Sequence, residues 1–238
     1  MKMNKNCKRN AYFSPVELSL WIGSVVMIIT AFLIFDRGSY LALVASIIGV
    51  SSLVFIAKGN PLAQVLMIIF CLLYAYISYT YAYYGEMMTY LGMSAPMAIV
   101  SLISWLKNPY GEGKSEVKIN RVSTGVVALG VCLALVVTVI FFFLLKYFNT
   151  ANLTISTLSV ATSFFAAYLT ARRSRFFALA YMLNDLVLIG MWALATISDR
   201  SYVSVVVCFI AFLANDFYSF VNWTRMQKKQ SGAVQNEN

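Results

Sequence analysis

The amino-acid sequence predicts an all-α polytopic membrane protein with about eight transmembrane helices. Apolar residues make up 61% of the 238 residues and charged residues only 11%, against about 45–50% and about 25% in soluble domains. The mean hydropathy is +0.76. A soluble fold of this size has too little interior to bury so much apolar side chain, so the soluble classes are excluded.

Eight apolar runs are long enough to cross a bilayer, which takes about 20 residues each. They cover 16–35, 40–57, 61–80, 89–107, 122–145, 153–171, 176–197 and 201–223. The first run follows a basic tail, as a signal peptide does. Its length and the lack of a small-residue cleavage site before the next run predict a retained helix instead.

The distribution of basic residues predicts the orientation. Fifteen Lys and Arg residues fall on the N-terminal side of the membrane and three on the other side. Because cytoplasmic loops are enriched in Lys and Arg, both termini and the loop 108–121 are expected in the cytoplasm. The net charge of +9 therefore reflects orientation and anionic lipid head groups rather than nucleic acid.

The sequence lacks the residues that several kinds of functional site require. The sequence has no His, and its four Cys form no CxxC pair, so we expect no metal site, structural disulfide or cofactor. A Walker-type Gly-rich loop is also missing, which excludes an ATP-driven pump.

A weak internal repeat relates spans 2–4 to spans 6–8 at an offset of about 114–118 residues. Ala57-Lys58 and Ala171-Arg172 interrupt each set, and Trp105 and Trp223 end them. This pattern predicts two parallel three-helix units joined by a linker helix, a 3+1+3 arrangement found in transporters. We expect 1–38 as tail and extra helix, 39–108 and 151–225 as the units, 109–150 as loop and linker helix, and 226–238 as tail.

Two Asn-Asp pairs form the candidate site. Asn184-Asp185 precedes Trp192, and Asn215-Asp216 precedes Trp223 at the same spacing, with Asn222 on the face of Asn215. A buried ionisable group costs about 2.5–3.5 kcal/mol on insertion scales, so it normally faces a cavity or a partner. Both Asn residues lie about 12 Å from the same membrane face by helical rise. Interhelical hydrogen bonding is the alternative reading, but two pairs at one depth favour a ligand site.

The absence of deep Lys and Arg residues narrows the ligand. Phosphorylated ligands are normally held by such cations. The pocket is therefore expected to take a neutral or cationic ligand with an aromatic part.

At these residues the chain resembles the PnuC family of bacterial nicotinamide riboside transporters, over nearly its whole length. The motifs are Trp105–Asn108, Asn184-Asp185 with Trp192, and Asn215–Tyr218 with Trp223. The resemblance implies a fold similar to that of the SWEET sugar transporters. It also implies that the chain is a multi-pass protein of the bacterial inner membrane. It also implies facilitated diffusion of this form of vitamin B3 for NAD biosynthesis, with trapping by a cytoplasmic riboside kinase.

The expected substrate-binding set combines both units, and no catalytic residue is expected. Gln64, one turn into span 3 after Pro61, and Asn108 should join from the first unit. The full set is Gln64, Trp105, Asn108, Asn184, Asp185, Trp192, Asn215, Asp216, Asn222 and Trp223. Amides can bind the carboxamide and hydroxyls, Trp can stack on the pyridinium, and Asp can offset its charge.

Three alternatives remain beside this interpretation. A proton-coupled or uniport carrier of a related vitamin such as thiamine would use the same residues. An intramembrane aspartyl protease also needs two Asp residues, but the contexts here lack its Gly-x-Gly-Asp stretch. A seven-helix receptor conflicts with eight spans. The oligomeric state stays open, with a homo-oligomer possible.

Overall fold

The computed structural model describes residues 12–80, 82–111, 115–150 and 152–236, and the predicted basic N-terminal tail lies largely outside them. Within these residues, eight helices are long and apolar enough to cross a membrane. They are α1 (Pro15–Phe35), α2 (Tyr40–Ala57), α3 (Leu62–Thr80), α4 (Tyr84–Leu106), α5 (Thr124–Tyr147), α6 (Leu153–Ala171), α7 (Phe177–Ala195) and α8 (Val203–Asn236). The predicted all-α class and the eight spans are confirmed.

The fourth helix begins earlier than the apolar pattern predicts. The pattern places its start at residue 89, but α4 begins at Tyr84 and contains a π-helical stretch, Tyr90–Ser94. Pro96 accounts for this stretch, because proline has no N–H for the preceding turn and its ring crowds the carbonyl there. Residues expected in a loop, Glu86 among them, are therefore part of the helix.

The eighth helix runs further than predicted. Its apolar run ends at residue 223, whereas α8 continues to Asn236, so most of the predicted C-terminal tail is helical. Met, Gln and Lys in this stretch are strong helix formers. Gln230 also anchors it, since its side chain accepts from the Ile119 N–H at 2.8 Å and donates to the Val117 carbonyl at 3.1 Å.

The helices pack as two groups of three. α3 lies between α2 and α4, and α7 lies between α6 and α8. The groups meet where α8 packs on α2 and α4 packs on α6, so the last helix of each group contacts the first helix of the other. α1 packs outside α2 and α8, and α5 packs mainly on α6. This arrangement leaves an interior between the groups.

The turns after α2, α4 and α6 lie at one membrane face, which we call the basic face because it carries Lys58, Lys107 and 172–175. The turns after α1, α3, α5 and α7 lie at the opposite face. At the basic face, Trp105 Nε1 donates to the Thr170 carbonyl at 2.9 Å, and Trp223 Nε1 donates to the Ile56 carbonyl at 2.8 Å. Both indoles are fully buried, and their centroids are 5.4 Å apart.

A second pair of hydrogen bonds between the two groups lies beside the indole bonds. Its donors come one residue before each Trp, and its acceptors come one residue after Thr170 and Ile56. Ser104 Oγ donates to the Ala171 carbonyl at 2.6 Å, and Asn222 Nδ2 donates to the Ala57 carbonyl at 2.7 Å. Each group thus binds the end of the other group's first helix. We call these four bonds the tryptophan latch.

The loop between α4 and α5 crosses the same face and contacts both groups. The Val117 N–H donates to the Gly59 carbonyl at 2.9 Å, and the Asn120 N–H donates to the Arg173 carbonyl at 3.0 Å. Gly59 and Arg173 both have positive φ, 64° and 57°, and they occupy matching turns after α2 and α6. The loop therefore joins equivalent points of the two groups.

Candidate functional site

A central cavity of about 110 Å³ lies between the two groups of helices. α2, α3 and α4 supply one wall, and α6, α7 and α8 supply the other. Ile56 and Thr170, whose carbonyls accept the latch bonds, line its end towards the basic face. The latch therefore closes the cavity on that side.

Unpaired polar atoms point to this cavity as a ligand site. Five buried side-chain atoms lack a hydrogen-bond partner in the described part of the chain, and three of them belong to residues that line the cavity. These are the amide nitrogen of Gln64, Oδ2 of Asp185 and Oδ1 of Asp216, on side chains no more than 3% exposed. A buried polar group without a partner costs roughly 1–3 kcal/mol. One donor and two acceptors are thus available to a ligand.

Asn184 adds a second donor. Its Oδ1 accepts from Thr162 Oγ1 and from Ser163 Oγ, each at 2.8 Å. Both hydroxyls come from α6, so the neighbouring helix fixes the orientation of the amide. Because the oxygen is engaged, the NH₂ group is the part of Asn184 that a ligand in the cavity can use.

The two carboxyl groups of the site lie together. Asp185 of α7 and Asp216 of α8 both line the cavity and lie close enough to interact electrostatically, which agrees with the equal depth predicted for them. Neither Lys nor Arg occurs among the described residues that line the cavity. The site is therefore acidic, with amide donors beside the acids.

Trp192 lies outside the central cavity. It lines a second cavity of about 80 Å³ towards the opposite face. Both cavities are bordered by Tyr90, Ser94, Ser163, Leu188 and Phe209. This placement agrees with the expectation that Trp192 lies further out than Asn184 along the helix.

The structure does not bring Asn215 to the cavity. Its Nδ2 donates to Ser24 Oγ of α1 at 3.0 Å and to the Ala211 carbonyl at 2.7 Å. Successive helical residues differ by 100° in direction, so Asn215 faces α1 while Asp216 faces the cavity. Asn215, which the sequence analysis expected in the substrate-binding set, is therefore not part of the cavity wall and links α8 to α1.

Four other expected site residues also have structural partners instead. Asn108, two residues after α4, donates from Nδ2 to the Ser104 carbonyl in the last turn of that helix at 2.8 Å. Trp105, Asn222 and Trp223 belong to the tryptophan latch. None of the four lines the central cavity. Trp105, Asn222 and Trp223 therefore belong to the closure of the cavity at the basic face and not to its walls.

Tyr181 and Ser163 are among the cavity residues that sequence reasoning missed. Tyr181 lines the cavity one helical turn before Asp185, and the spacing of four residues on one helix could have identified it. Ser163, which orients Asn184, carried no signal, because an isolated Ser in an apolar helix usually bonds its own backbone.

Known proteins resemble this chain in sequence and in fold. The model of a family described as nicotinamide mononucleotide transporter matches residues 39–225. The nicotinamide riboside transporter PnuC of Neisseria mucosa is 28% identical over 225 residues, covering 93% of this chain and 84% of the relative. The protein of the same name from Haemophilus influenzae is 24% identical over 193 residues, covering 80% and 82%.

A solved structure shares the fold. The crystal structure of the vitamin B3 transporter PnuC superposes with a TM-score of 0.78 at 26% identity, covering 92% of this chain and 94% of that one. The resemblance indicated by the sequence motifs is confirmed. Since the family match extends over most of the chain, this protein belongs to the nicotinamide mononucleotide transporter family, which includes the PnuC transporters.

Proposed function

We propose that this protein carries nicotinamide riboside across a bacterial inner membrane by facilitated diffusion. The central cavity supports this most directly, because it combines the unpaired Gln64 amide nitrogen with unpaired oxygens of Asp185 and Asp216. A carboxamide has one acceptor and two donor hydrogens. Its oxygen can accept from Gln64 or Asn184, and its NH₂ group or the ribose hydroxyls can donate to an Asp oxygen.

Charge supports the same substrate. Nicotinamide riboside carries a permanent positive charge on its pyridinium ring. The carboxyl groups of Asp185 and Asp216 offset this charge, and the Tyr181 ring in the wall offers an aromatic surface for it. An organic cation therefore lowers the cost of burying the acidic pair.

Neither Lys nor Arg is among the described residues that line the cavity, and this favours the riboside over its phosphate. The matched family is named for the mononucleotide, whereas both relatives are named for the riboside. A phosphate group needs cationic donors, and here it would meet Asp185 and Asp216 instead. The same reasoning supports trapping, because the product of a cytoplasmic riboside kinase would be a poor ligand for the return passage.

The basic face is proposed to be cytoplasmic. Lys58, Lys107 and the arginines at 172, 173 and 175 lie there, and positive residues are retained on the cytoplasmic side. In this orientation the tryptophan latch closes the cytoplasmic end, and the second cavity lies on the side from which the vitamin arrives.

Proton coupling is the second candidate, and the proximity of Asp185 and Asp216 favours it. Two carboxylates in one buried site repel each other, so a proton held by one of them stabilises the pair. That proton could leave when the cationic substrate arrives. Thiamine, also an aromatic cation, is the alternative substrate.

Uptake of labelled nicotinamide riboside and thiamine into proteoliposomes tests the proposal. We expect nicotinamide riboside to enter faster than in protein-free liposomes, with no dependence on a pH gradient and no effect of an uncoupler. Riboside kinase and ATP inside the vesicles should increase the accumulated label. Preference for thiamine would overturn the substrate assignment, and uptake driven by a pH gradient would favour the coupled carrier.

A further inference from the structure

The second cavity has its own chemistry, separate from the central one. Glu86, from the first turn of α4, and Trp192, from the end of α7, both line it. Neither residue lines the central cavity. The sequence pattern placed Glu86 in a loop, and the early start of α4 brings it into the wall.

Glu86 is held at a fixed place beside the end of α5. The preceding Gly85 is buried so closely that a Cβ there would collide with Thr150 and lie 2.9 Å from Leu145. The first turn of α4 therefore packs directly on the segment that joins α5 to α6. This contact fixes the backbone from which the Glu86 side chain projects.

The Glu86 carboxyl group has no protein partner in the described residues. Neither a hydrogen bond nor an ion pair reaches it there, and the single ion pair found in that part of the chain joins Lys58 to Glu17 near the basic face. A half-buried acid in an otherwise apolar and hydroxyl-lined cavity is costly unless it meets a cation.

Aromatic rings line this cavity, and further rings pack behind them. The Trp192 indole lies 5.2 Å from the Tyr202 ring, at an interplanar angle of 44°, and the Tyr202 hydroxyl is 2.5 Å from that of Tyr83. Tyr90 lines the cavity as well and packs on Tyr74 at 5.3 Å. Aromatic faces together with an acid form the usual binding site for organic ammonium and pyridinium groups.

We propose that the second cavity is a distinct binding site for an aromatic organic cation, with Trp192 stacking on the ring and Glu86 neutralising its charge. This inference rests on the proposed function, in which the cation continues to the central cavity. Tyr90, Leu188 and Phe209 border both cavities, so the ligand passes between them without leaving the protein. Two carboxylate sites in series then conduct the cation through an apolar interior.

Trp192 reports on its own site. An electron-poor pyridinium ring stacked on an indole quenches its fluorescence, and the Trp192→Phe variant identifies the Trp192 contribution among the four Trp residues. The probes are 1-methylnicotinamide, which has the cation without the ribose, nicotinamide riboside, and its neutral dihydro form. The proposal predicts that both cations quench Trp192 and that the dihydro form binds at least fivefold more weakly.

Variants separate this site from the central one. Asn184→Leu damages the central cavity and should leave quenching of Trp192 by 1-methylnicotinamide unchanged. Glu86→Gln should weaken that quenching at least fivefold, and Glu86→Asp should restore part of it. Glu116→Gln is the matched control, because Glu116 lies on the basic-face loop and bonds Gln230.

The outcomes are distinguishable from those of the proposed function. Loss of Trp192 quenching in Asn184→Leu, or equal quenching in wild type and Glu86→Gln, would overturn the second site. Equal affinity for the cation and the neutral dihydro form would overturn it as well. Failure to transport nicotinamide riboside while 1-methylnicotinamide still quenches Trp192 would instead reject the proposed substrate and keep the second site.

Discussion

When the indole N–H groups of the tryptophan latch are removed, a larger fraction of the protein should be open at the basic face. Trp105→Phe and Trp223→Phe each delete one hydrogen bond between the two groups of helices and keep an aromatic ring. The bonds to Thr170 and Ile56 cross the gap that must widen for a ligand to leave on that side. They therefore stabilise the closed state alone.

The change in the open fraction depends on the hydrogen bonds that the two carbonyl acceptors keep after the substitution. Ile56 also accepts from the Gly59 N–H at 2.8 Å, and Thr170 accepts from the Arg173 N–H at 2.9 Å. Neither acceptor loses its last partner, so the lost hydrogen bond itself contributes about 0.5–1.5 kcal/mol. Since about 1.4 kcal/mol is tenfold, the open fraction should rise about two- to twelvefold in each variant.

Cys71 measures the open fraction. It lines the central cavity and is 1% exposed. With Cys7, Cys132 and Cys208 replaced by Ala, it is the sole thiol. A membrane-impermeant thiol reagent applied from the basic face should then label Cys71 at a rate proportional to the open fraction.

Trp21→Phe is the matched control, because Trp21 Nε1 donates to Ser51 Oγ at 3.0 Å, between α1 and α2. That variant loses the same kind of bond without separating the two groups, so it should label at the wild-type rate. Unchanged labelling in both latch variants would show that their bonds persist when the carrier opens, and the reasoning would fail.

Three further predictions concern binding and topology. Asn184→Leu should weaken riboside binding by about 1–3 kcal/mol in calorimetry, whereas Asn108→Leu should leave the affinity unchanged because its amide bonds the last turn of α4; unchanged affinity in both would place the site elsewhere. The 5′-phosphate of the riboside should bind much more weakly than the riboside, since no Lys or Arg lines the described cavity; comparable affinities would contradict this. A Cys replacing the exposed Ser115, in an otherwise Cys-free chain, should react only with reagent inside the cell, and labelling from outside would refute the orientation.

The spans were predictable because each is a local property of the chain. A run of about 20 apolar residues crosses a bilayer whatever its neighbours do. The exceptions have tertiary or backbone causes. Tyr84, Gly85 and Glu86 precede the apolar run, yet packing of Gly85 against the end of α5 keeps them helical. The polar end of α8 is helical beside the loop that Gln230 holds.

The parts of the candidate site that contain buried charged groups were predictable, because such groups have few favourable positions in a membrane protein. Asp185 and Asp216 had to face a cavity or each other, and they do both. Asn215 could not be assigned in the same way, because an amide is satisfied equally well by a ligand or by Ser24 of α1. The position of α1 beside α8, which decides this, leaves no periodic signal in the sequence.

The tryptophan latch has a consequence for how such a chain can arise. Its donors are about 118 residues apart and its acceptors about 114, and each half repeats the contact of the other. That is the rule of an isologous interface, in which one surface is complementary to itself. A single three-helix unit with a Trp at the end of its third helix already contains both partners of the contact. Two copies of such a unit could close one membrane face as a homodimer, and the linker helix only has to return the chain across the bilayer to keep the copies parallel.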